Sequence, residues 1–287
     1  MKMKNKDFAI FIMVWGRPDK MWTAKTFKKA GYTGKFYFIA DDEDKTVDKY
    51  KEKYGNNLLV FNKGEAKKKY GYDMGDNSGD LRSTMFSANM SFEFAKKLGL
   101  KYFMLCCDDY TDVAFRFDKN NKWKYTKVKK LDRVLDIMIE YYRKIPALTI
   151  AMAQAGDFMG GALGSFAKKF MPKRKAMNTF LCSVDRPFKF LGRINEDVTT
   201  YVNLGSKGKI FFTIPNICIA QTGHQSQSAG LTDMYLDYGT YVKSFMSVMY
   251  NPSCVRVAMM GTTHKRIHHK VLWNNAVPKI LNEKYKK

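Results

Sequence analysis

The sequence predicts an α/β fold in which helices flank a sheet. Short apolar runs, such as residues 8–14, alternate with segments whose apolar residues recur at helical spacing. This alternation is typical of parallel strands joined by right-handed helical connections. A continuous apolar run is also typical of a strand covered on both faces. The 287 residues are enough for one large domain or for two closely packed ones.

In the first half of the chain, turn and cap residues divide the apolar runs into elements. Pro18 suits the first turn of a helix, and Gly31 offers a C-cap. The segment 64–79 is rich in glycine and polar residues, so we expect a mobile loop over the sheet edge. The predicted strands are 8–14, 35–40, 58–61 and 101–107, and the predicted helices are 19–30, 46–53 and 80–99.

In the second half, the same signals predict both hairpins and helices. Residues 118–121, with the sequence Asp-Lys-Asn-Asn, have the composition of a turn between two strands. The predicted strands are 112–117, 122–128, 147–152, 177–184, 255–260 and 267–273, with a hairpin at 210–213 and 216–220. The predicted helices are 131–144, one that runs from about 197 toward Tyr201, and 235–250, with loops at 156–164 and 221–228.

The chain is strongly basic. Fifty Lys and Arg residues against 27 Asp and Glu residues give a formal net charge of +23, which favours a polyanionic partner such as DNA. A lysine-biased composition or a membrane-surface patch are the alternatives. Lys173, Arg174 and Lys175 lie in a basic segment with an aromatic residue and a proline, and they are the first candidates to contact a phosphate backbone. The alternative for them is an ordinary solvated loop.

Composition also bears on location and redox state. No run of about 18 uncharged apolar residues is present, and the N-terminus lacks a signal-peptide cleavage site. We therefore expect a cytoplasmic protein without a membrane partner. Five cysteines without CxxC spacing indicate reduced core residues and neither a disulfide framework nor a zinc site. No GxGxxG or Walker sequence follows a predicted strand, which disfavours a dinucleotide-binding or P-loop enzyme.

Asp108 and Asp109 follow directly after a predicted buried strand. Ligands of open α/β sheets gather at the carboxyl ends of strands, and carboxylate oxygens suit a divalent cation that carries a phosphate. The alternative is a pair that only caps a turn.

Two later pairs are further candidates. Glu196 and Asp197 head a predicted helix, where they either serve as capping charges or supply a general base for a hydroxyl acceptor. His268 and His269 lie in a predicted strand, on opposite faces, within a basic stretch. One of them is a candidate metal ligand, although a structural role is the common alternative for a histidine.

Several short motifs, in this order, resemble the TET/JBP-associated glycosyltransferases, which are phage and protist enzymes predicted to glycosylate hydroxymethylated bases in DNA. The resemblance spans almost the whole chain, and the order of the motifs carries it. The motifs are Trp-Gly-Arg-Pro-Asp at 15–19, Lys-Ala-Gly-Tyr-Thr-Gly-Lys at 29–35, Asp-Asp-Glu-Asp at 41–44, Cys-Asp-Asp-Tyr at 107–110, Arg-Ile-Asn-Glu-Asp-Val at 193–198, Gly-Thr-Tyr-Val-Lys-Ser-Phe at 239–245 and Arg-Ile-His-His-Lys-Val-Leu-Trp at 266–273.

The resemblance implies a GT-A-like, Rossmann-type mixed sheet flanked by helices, a UDP-sugar donor, and Mn²⁺ or Mg²⁺. It also implies roles for individual residues. Asp109, with Asp108, would hold the metal and the donor diphosphate, Asp197 would lie near the acceptor, and His268 or His269 would complete the metal site. Cys107 stands where an Asp-x-Asp motif has its first acidic residue, so Asp108 is also a candidate for a ribose or water-mediated contact. The remaining donor-binding candidates are Gly16, Arg17, Asp41 and Arg82, the last on a predicted helix face with Asn89.

The expected function is therefore transfer of a sugar from a UDP-sugar to the hydroxymethyl group of a pyrimidine, first of all 5-hydroxymethylcytosine in phage DNA. We expect residues 1–115 to bind the nucleotide sugar and residues 116–287 to bind the acceptor within one compact domain. The alternatives are a GT-A glycosyltransferase with a non-DNA acceptor and a non-catalytic, basic DNA-binding protein.

Overall fold

A computed structural model of the protein describes residues 3–76, 78–158, 161–164, 172–222, 231–239, 241–261 and 265–279. The strands are β1 Phe8–Met13, β2 Lys35–Asp41, β3 Leu58–Phe61, β4 Tyr102–Cys106, β5 Tyr110–Phe117, β6 Trp123–Lys127, β7 Ala147–Gln154, β8 Phe180–Ser183, β9 Ile210–Gln221, β10 Val255–Met260 and β11 Arg266–Val271. The helices are α1 Trp22–Lys29, α2 Val47–Tyr54, α3 Lys63–Tyr70, α4 Met85–Lys97, α5 Leu131–Lys144, α6 Glu196–Ser206, α7 Thr232–Tyr238 and α8 Val242–Tyr250.

Nine of the strands form one mixed sheet in the order β3-β2-β1-β4-β8-β7-β9-β5-β6. The first four positions are parallel, with Ile10 of β1 in register with Phe36 of β2 and Met104 of β4. Strand β8 runs antiparallel to its neighbours β4 and β7, whereas β9 is parallel to β7 and antiparallel to β5. Strands β10 and β11 form a separate antiparallel hairpin. The predicted α/β class, a mixed sheet flanked by helices, is confirmed.

Both faces of the sheet are covered, as the apolar strands predict. On β1, Ile10 and Ile12 belong to an apolar cluster with α1, α2 and α5, while Ala9 and Phe11 belong to a second cluster with α3, α4 and α6. Successive side chains of a strand point to opposite faces, so an apolar run fills two cores. The sheet joins the two predicted halves of the chain through the β4–β8 pairing, and together they form one compact domain.

Three predicted elements differ from the structure. The expected loop at 64–79 contains α3, which begins where the Asn62 side chain accepts a hydrogen bond from the Glu65 backbone N–H at 2.8 Å. The expected hairpin at 210–220 is the single strand β9, whose pairing with β7 shifts register around Pro215. The expected helix at 235–250 is broken into α7 and α8 at Gly239, whose φ of 82° is left-handed.

Two predicted loops fall partly outside the described residues. They are the polar loop at 221–228, beyond Thr222, and the start of the basic segment, at 168–171. Within the described residues, no helix has both the length and the apolar character needed to cross a bilayer.

Candidate active site

The loop after β1 is fixed by hydrogen bonds at the carboxyl edge of the parallel strands. Gly16 has a φ of 68°, a conformation that glycine adopts readily. Its backbone N–H donates to Oδ2 of Asp44 at 2.9 Å, and the backbone N–H of Arg17 donates to the Tyr50 hydroxyl at 3.0 Å. These bonds aim the Arg17 guanidinium at Asp108, where Nη2 lies 2.8 Å from Oδ1.

One carboxylate oxygen of Asp108 pairs with Arg17, and the other is placed to bind a cation. It is buried, and its Oδ2 atom has no hydrogen-bond partner among the described residues. Burial raises the pKa of Asp108 to about 6, while Arg17 lowers it and the charge of Asp109 raises it further. A buried carboxylate oxygen without a donor is unfavourable unless a cation reaches it. The donor set therefore fits a hard divalent metal ion.

Asp109 is half-buried beside Asp108 and is oriented from β9. Gln221 Nε2 donates to its Oδ1 at 3.2 Å, and the Thr222 hydroxyl donates to its Oδ2 at 3.3 Å. The two aspartates thus differ in their partners, one a guanidinium and the other an amide and a hydroxyl. Sequence reasoning assigned Gln221 and Thr222 to a loop and missed this role, because the pairing of β9 with β5 is not visible in the sequence.

Asp41 lies at the same sheet edge, at the end of β2. Its Oδ2 is 3.4 Å from Nζ of Lys63, which is only 4% exposed and lies over the Trp15 ring at 4.4 Å. Burial raises the pKa of Asp41 to about 6, and Lys63 partly offsets this rise. Lys63 and Trp15 are therefore additions to the predicted set. A lysine is rarely fully buried without a partner. Because Lys63 stands at the start of a polar segment, the sequence gave no sign that it is buried.

The first turn of α6 carries a second pair of carboxylates, Glu196 and Asp197. The Thr84 hydroxyl donates to Oε1 of Glu196 at 2.5 Å. Burial raises the pKa of Glu196, and the neighbouring charge of Asp197 raises it further. The pKa of the Cys107 thiol is raised by burial and by the charges of Asp109, Asp108 and Glu196, so Glu196 acts electrostatically on the residue that precedes the Asp108–Asp109 pair.

Asp197 is the more enclosed member of this pair, with 9% of its surface exposed. Its Oδ1 accepts the backbone N–H of Val198 at 2.7 Å. Burial raises the pKa of Asp197, while the Val198 N–H and the cations Lys175 and Lys243 lower it. Raised carboxyl pKa values suit proton transfer near neutral pH, so the pair at the head of α6 can serve as a base.

The predicted metal set of Asp108, Asp109, His268 and His269 is not assembled. Among the described residues, no three His, Cys, Asp or Glu side chains are placed to hold one metal ion. The two imidazole rings lie 4.2 Å apart. Burial lowers the pKa of His269 to about 3, and His268, Lys243 and Lys175 lower it as well. The histidines are therefore not grouped with Asp108 and Asp109 within the described residues, and their role as metal ligands stays a prediction.

Arg82 forms ion pairs with two aspartates. It precedes α4, so the predicted helix face shared with Asn89 is not formed. Its Nη2 lies 2.6 Å from Asp80 Oδ2, and its Nη1 lies 2.7 Å from Asp237 Oδ2. The side chain of Asn89 exchanges hydrogen bonds with the backbone of Phe190.

The basic triplet does not form one surface. Lys173 is exposed and donates to Asn274 Oδ1 at 2.8 Å. Arg174 is 1% exposed and packs against the Phe158 ring, so its expected contact with a phosphate backbone does not fit this conformation. Lys175 is half-buried and pairs with Asp157 at 2.8 Å.

A cavity of about 1000 Å³ lies elsewhere, between α5 and the strands β5, β6 and β9. It is lined mainly by apolar side chains such as Val134, Met138 and Phe212, with lysines at its rim, and none of the predicted site residues borders it. The candidate active site therefore comprises Asp41, Asp108 and Asp109 at the carboxyl ends of their strands, together with the carboxylate pair at the head of α6.

Comparison with solved structures gives low sequence identity and modest structural similarity. Glucosyl-3-phosphoglycerate synthase from Mycobacterium tuberculosis in complex with Mg²⁺ and UDP matches with a TM-score of 0.46 and 7% identity, over 92% of this chain and 87% of that one. A complex of that enzyme with Mn²⁺, UDP and phosphoglyceric acid gives a TM-score of 0.44 and 6% identity, over 92% and 86% of the two chains. A further mycobacterial protein gives 0.45 and 8%, over 92% and 83%.

Comparison with curated proteins gives no match. A family model described as TET-Associated Glycosyltransferase matches residues 8–230, a span that contains both carboxylate pairs, and the chain belongs to this family of glycosyltransferases.

Proposed function

We propose that this protein transfers a sugar from a UDP-sugar to the hydroxymethyl group of 5-hydroxymethylcytosine in DNA, with the help of a divalent cation. One observation carries the proposal. The glycosyltransferase family region, residues 8–230, contains both Asp108–Asp109, just after β4, and Glu196–Asp197, at the start of α6. The net charge of +23 supports a nucleic-acid acceptor.

On the donor side, Gly16, Arg17 and Asp41 line the carboxyl ends of β1 and β2 and would bind the nucleoside. Asp108 and Asp109 would hold Mn²⁺ or Mg²⁺. Two carboxylates suffice when substrate phosphates and water complete the coordination, as is usual for Mg²⁺. When bound there, the cation would neutralise the negative charge of the diphosphate leaving group. Arg17 keeps Asp108 ionised, and Gln221 and Thr222 orient Asp109.

On the acceptor side, Asp197 is our first candidate for the general base and Glu196 the second. In an inverting transfer, the hydroxymethyl oxygen forms a bond to the anomeric carbon, the bond from that carbon to the β-phosphate oxygen breaks, and UDP leaves with the electron pair. The hydroxyl proton passes to the carboxylate. Glu196, held by Thr84, would position the reacting groups. The cytosine would be reached by flipping the nucleotide out of the duplex.

The test is sugar transfer to defined DNA. A duplex with 5-hydroxymethylcytosine is incubated with the protein, Mn²⁺ and a panel of UDP-sugars, and its nucleosides are analysed by mass spectrometry. We expect a mass gain of one sugar on hydroxymethylcytosine and none on a matched duplex with unmodified cytosine. Donor consumption without sugar on hydroxymethylcytosine would refute this acceptor, and the same result with a hydroxymethyluracil duplex would favour a non-DNA acceptor. The anomeric configuration of the product distinguishes inversion from retention.

A further inference from the structure

The hairpin of β10 and β11 has one cationic face. Residues directly opposite each other in an antiparallel pair share a face, and the register pairs Arg256 with Lys270, Ala258 with His268 and Met260 with Arg266. Arg256, Arg266 and Lys270 are exposed, so three permanent cations line this face. The other face holds Val255 and Val271, which pack into an apolar core cluster.

The cations of this face are placed close to like charges. Arg256 and Lys270 are like charges placed directly opposite each other, which destabilises a strand pair. The ion pairs among the described residues include none of Arg256, Arg266 and Lys270. Residues 241–279 contain six Lys and Arg residues and no Asp or Glu, so this segment itself offers no carboxylate to these cations. Exposed cations on one face are what the phosphates of a polyanion can contact.

The hairpin packs beside the helices that adjoin the candidate base. Helix α8 packs on both β10 and β11 and on α6. On the face opposite the cations, Nδ1 of His269 is 3.4 Å from Nδ2 of Asn195, the residue that precedes α6. Lys243 on α8 is acted on electrostatically by both Arg266 of the cationic face and Asp197. A phosphate bound at Arg266 would therefore lie on the side of the hairpin that adjoins Lys243 and the head of α6.

We infer that the face formed by Arg256, Arg266 and Lys270 binds the phosphate backbone of the acceptor DNA beside the modified base. The inference rests on the proposed function and adds a site beyond residues 8–230, where the family match ends. Arg266 and Lys270 are separated by about 13 Å along an extended strand, which is enough to span several phosphates of one DNA strand. The hairpin thereby positions DNA, while the family region performs the transfer.

The experiment compares a hairpin variant with a matched control. The hairpin variant combines Arg256→Gln, Arg266→Gln and Lys270→Gln, and the control combines Lys67→Gln, Lys68→Gln and Lys96→Gln, three exposed lysines on α3 and α4. Binding of a fluorescent hydroxymethylcytosine duplex is followed by anisotropy over a range of salt concentrations. UDP affinity is measured by calorimetry.

We expect the hairpin variant to bind DNA at least tenfold more weakly at low salt, with the slope of log K against log salt reduced by about 2.7, or about 0.9 for each of three lost phosphate contacts. The control should change by less than about twofold in affinity, and UDP affinity should be unchanged in both. Equal losses in both variants, or a wild-type slope in the hairpin variant, would overturn the inference.

A single substitution separates binding from folding. Lys270→Glu replaces the like-charge pair with an opposite-charge pair across the hairpin, so we expect an unchanged or higher melting temperature together with weaker DNA binding. A variant that loses stability and DNA affinity together would argue for a structural role of Lys270 and against ours.

Two further measurements show whether a negative result contradicts the hairpin site or the proposed function. Vesicles of phosphatidylserine and phosphatidylcholine test a membrane surface, and hairpin-dependent binding to them without hairpin-dependent binding to DNA would overturn the inference. If the wild type binds DNA through the hairpin but transfers no sugar to it, the proposed function fails and the DNA site stands. If transfer occurs and the hairpin variant keeps the wild-type KM for DNA, the function stands and the hairpin site fails.

Discussion

Replacing Arg17 with Met keeps an unbranched apolar stem and removes the charge that faces Asp108. Arg17 Nη2 lies 2.8 Å from Oδ1 of Asp108, whose side chain is 5% exposed. Burial raises the pKa of Asp108 to about 6, and Arg17 is the leading influence that lowers it. A hydrogen bond to a charged group contributes about 1.5–3 kcal/mol. Because about 1.4 kcal/mol corresponds to one pKa unit, Arg17→Met should raise the pKa of Asp108 by roughly 1 to 2.

The ionised fraction of Asp108 at pH 7 should then fall from about nine-tenths to between about one-half and one-tenth. A carboxylate binds metal only when it is deprotonated. We therefore expect Mn²⁺ affinity to weaken roughly 2- to 10-fold at pH 7 and to recover as the pH is raised above about 8. Calorimetric titration with Mn²⁺ between pH 6 and pH 9 measures this effect.

The control is Lys53→Met, which removes an exposed ion pair with Asp19, at 3.2 Å, beside the same loop. Its Mn²⁺ affinity should match the wild type at every pH. A wild-type affinity for Arg17→Met at pH 7, or a loss that does not vary with pH, would refute the assignment of Asp108 as a metal ligand kept ionised by Arg17.

Three further predictions concern the base and the packing of α6. Asp197→Asn keeps the shape of the side chain but removes the proton acceptor, so it should lower kcat on the order of 10²- to 10⁴-fold. Glu196→Gln keeps an oxygen that can accept the Thr84 hydroxyl, so its kcat should fall by less than about tenfold. The reverse ranking of the two variants would make Glu196 the base. Burial raises the pKa of Asp197 above its ordinary value of 3.8. The fall of log(kcat/KM) toward acid pH should therefore set in above pH 3.8, and it should be absent in Asp197→Asn. A fall that persists in Asp197→Asn would belong to another group. A Cβ on Gly205 would lie 2.2 Å from the Ala276 carbonyl oxygen, so Gly205→Ala should destabilise the fold by about 1–3 kcal/mol in thermal unfolding, while Gly156→Ala, which meets nothing within 4 Å, should not.

The elements that sequence reasoning predicted well are those with an unbroken apolar pattern. Strands β1, β2 and β4 and helix α5 follow from apolar runs and helical spacing alone. Helix α3 was missed because Gly64 and a cluster of lysines hide its buried positions, Ala66 and Tyr70. Strand β9 was divided because Pro215 is typical of a turn, whereas here it lies at a register shift within one strand.

The candidate site was partly predictable for a similar reason. The end of a buried strand is visible in the sequence, so Asp41, Asp108 and Asp109 could be identified as edge residues before their neighbours were known. Their partners could not be identified. Lys63 reaches Asp41 and Gln221 reaches Asp109 through strand pairings and side-chain packing over long sequence separations, and periodicity carries no information about such contacts.

A basic run in the sequence is also not the same as a basic surface. Lys173, Arg174 and Lys175 are consecutive, yet one is exposed, one is buried and one is paired with Asp157, because consecutive side chains of a bent segment point in different directions. The cations of the β10–β11 hairpin are separated by up to 14 residues, from 256 to 270, and an antiparallel register places them on one face. The surface that a phosphate backbone meets is set by strand register, and for this reason the DNA contacts we propose emerge from the hairpin and not from the most basic stretch of the chain.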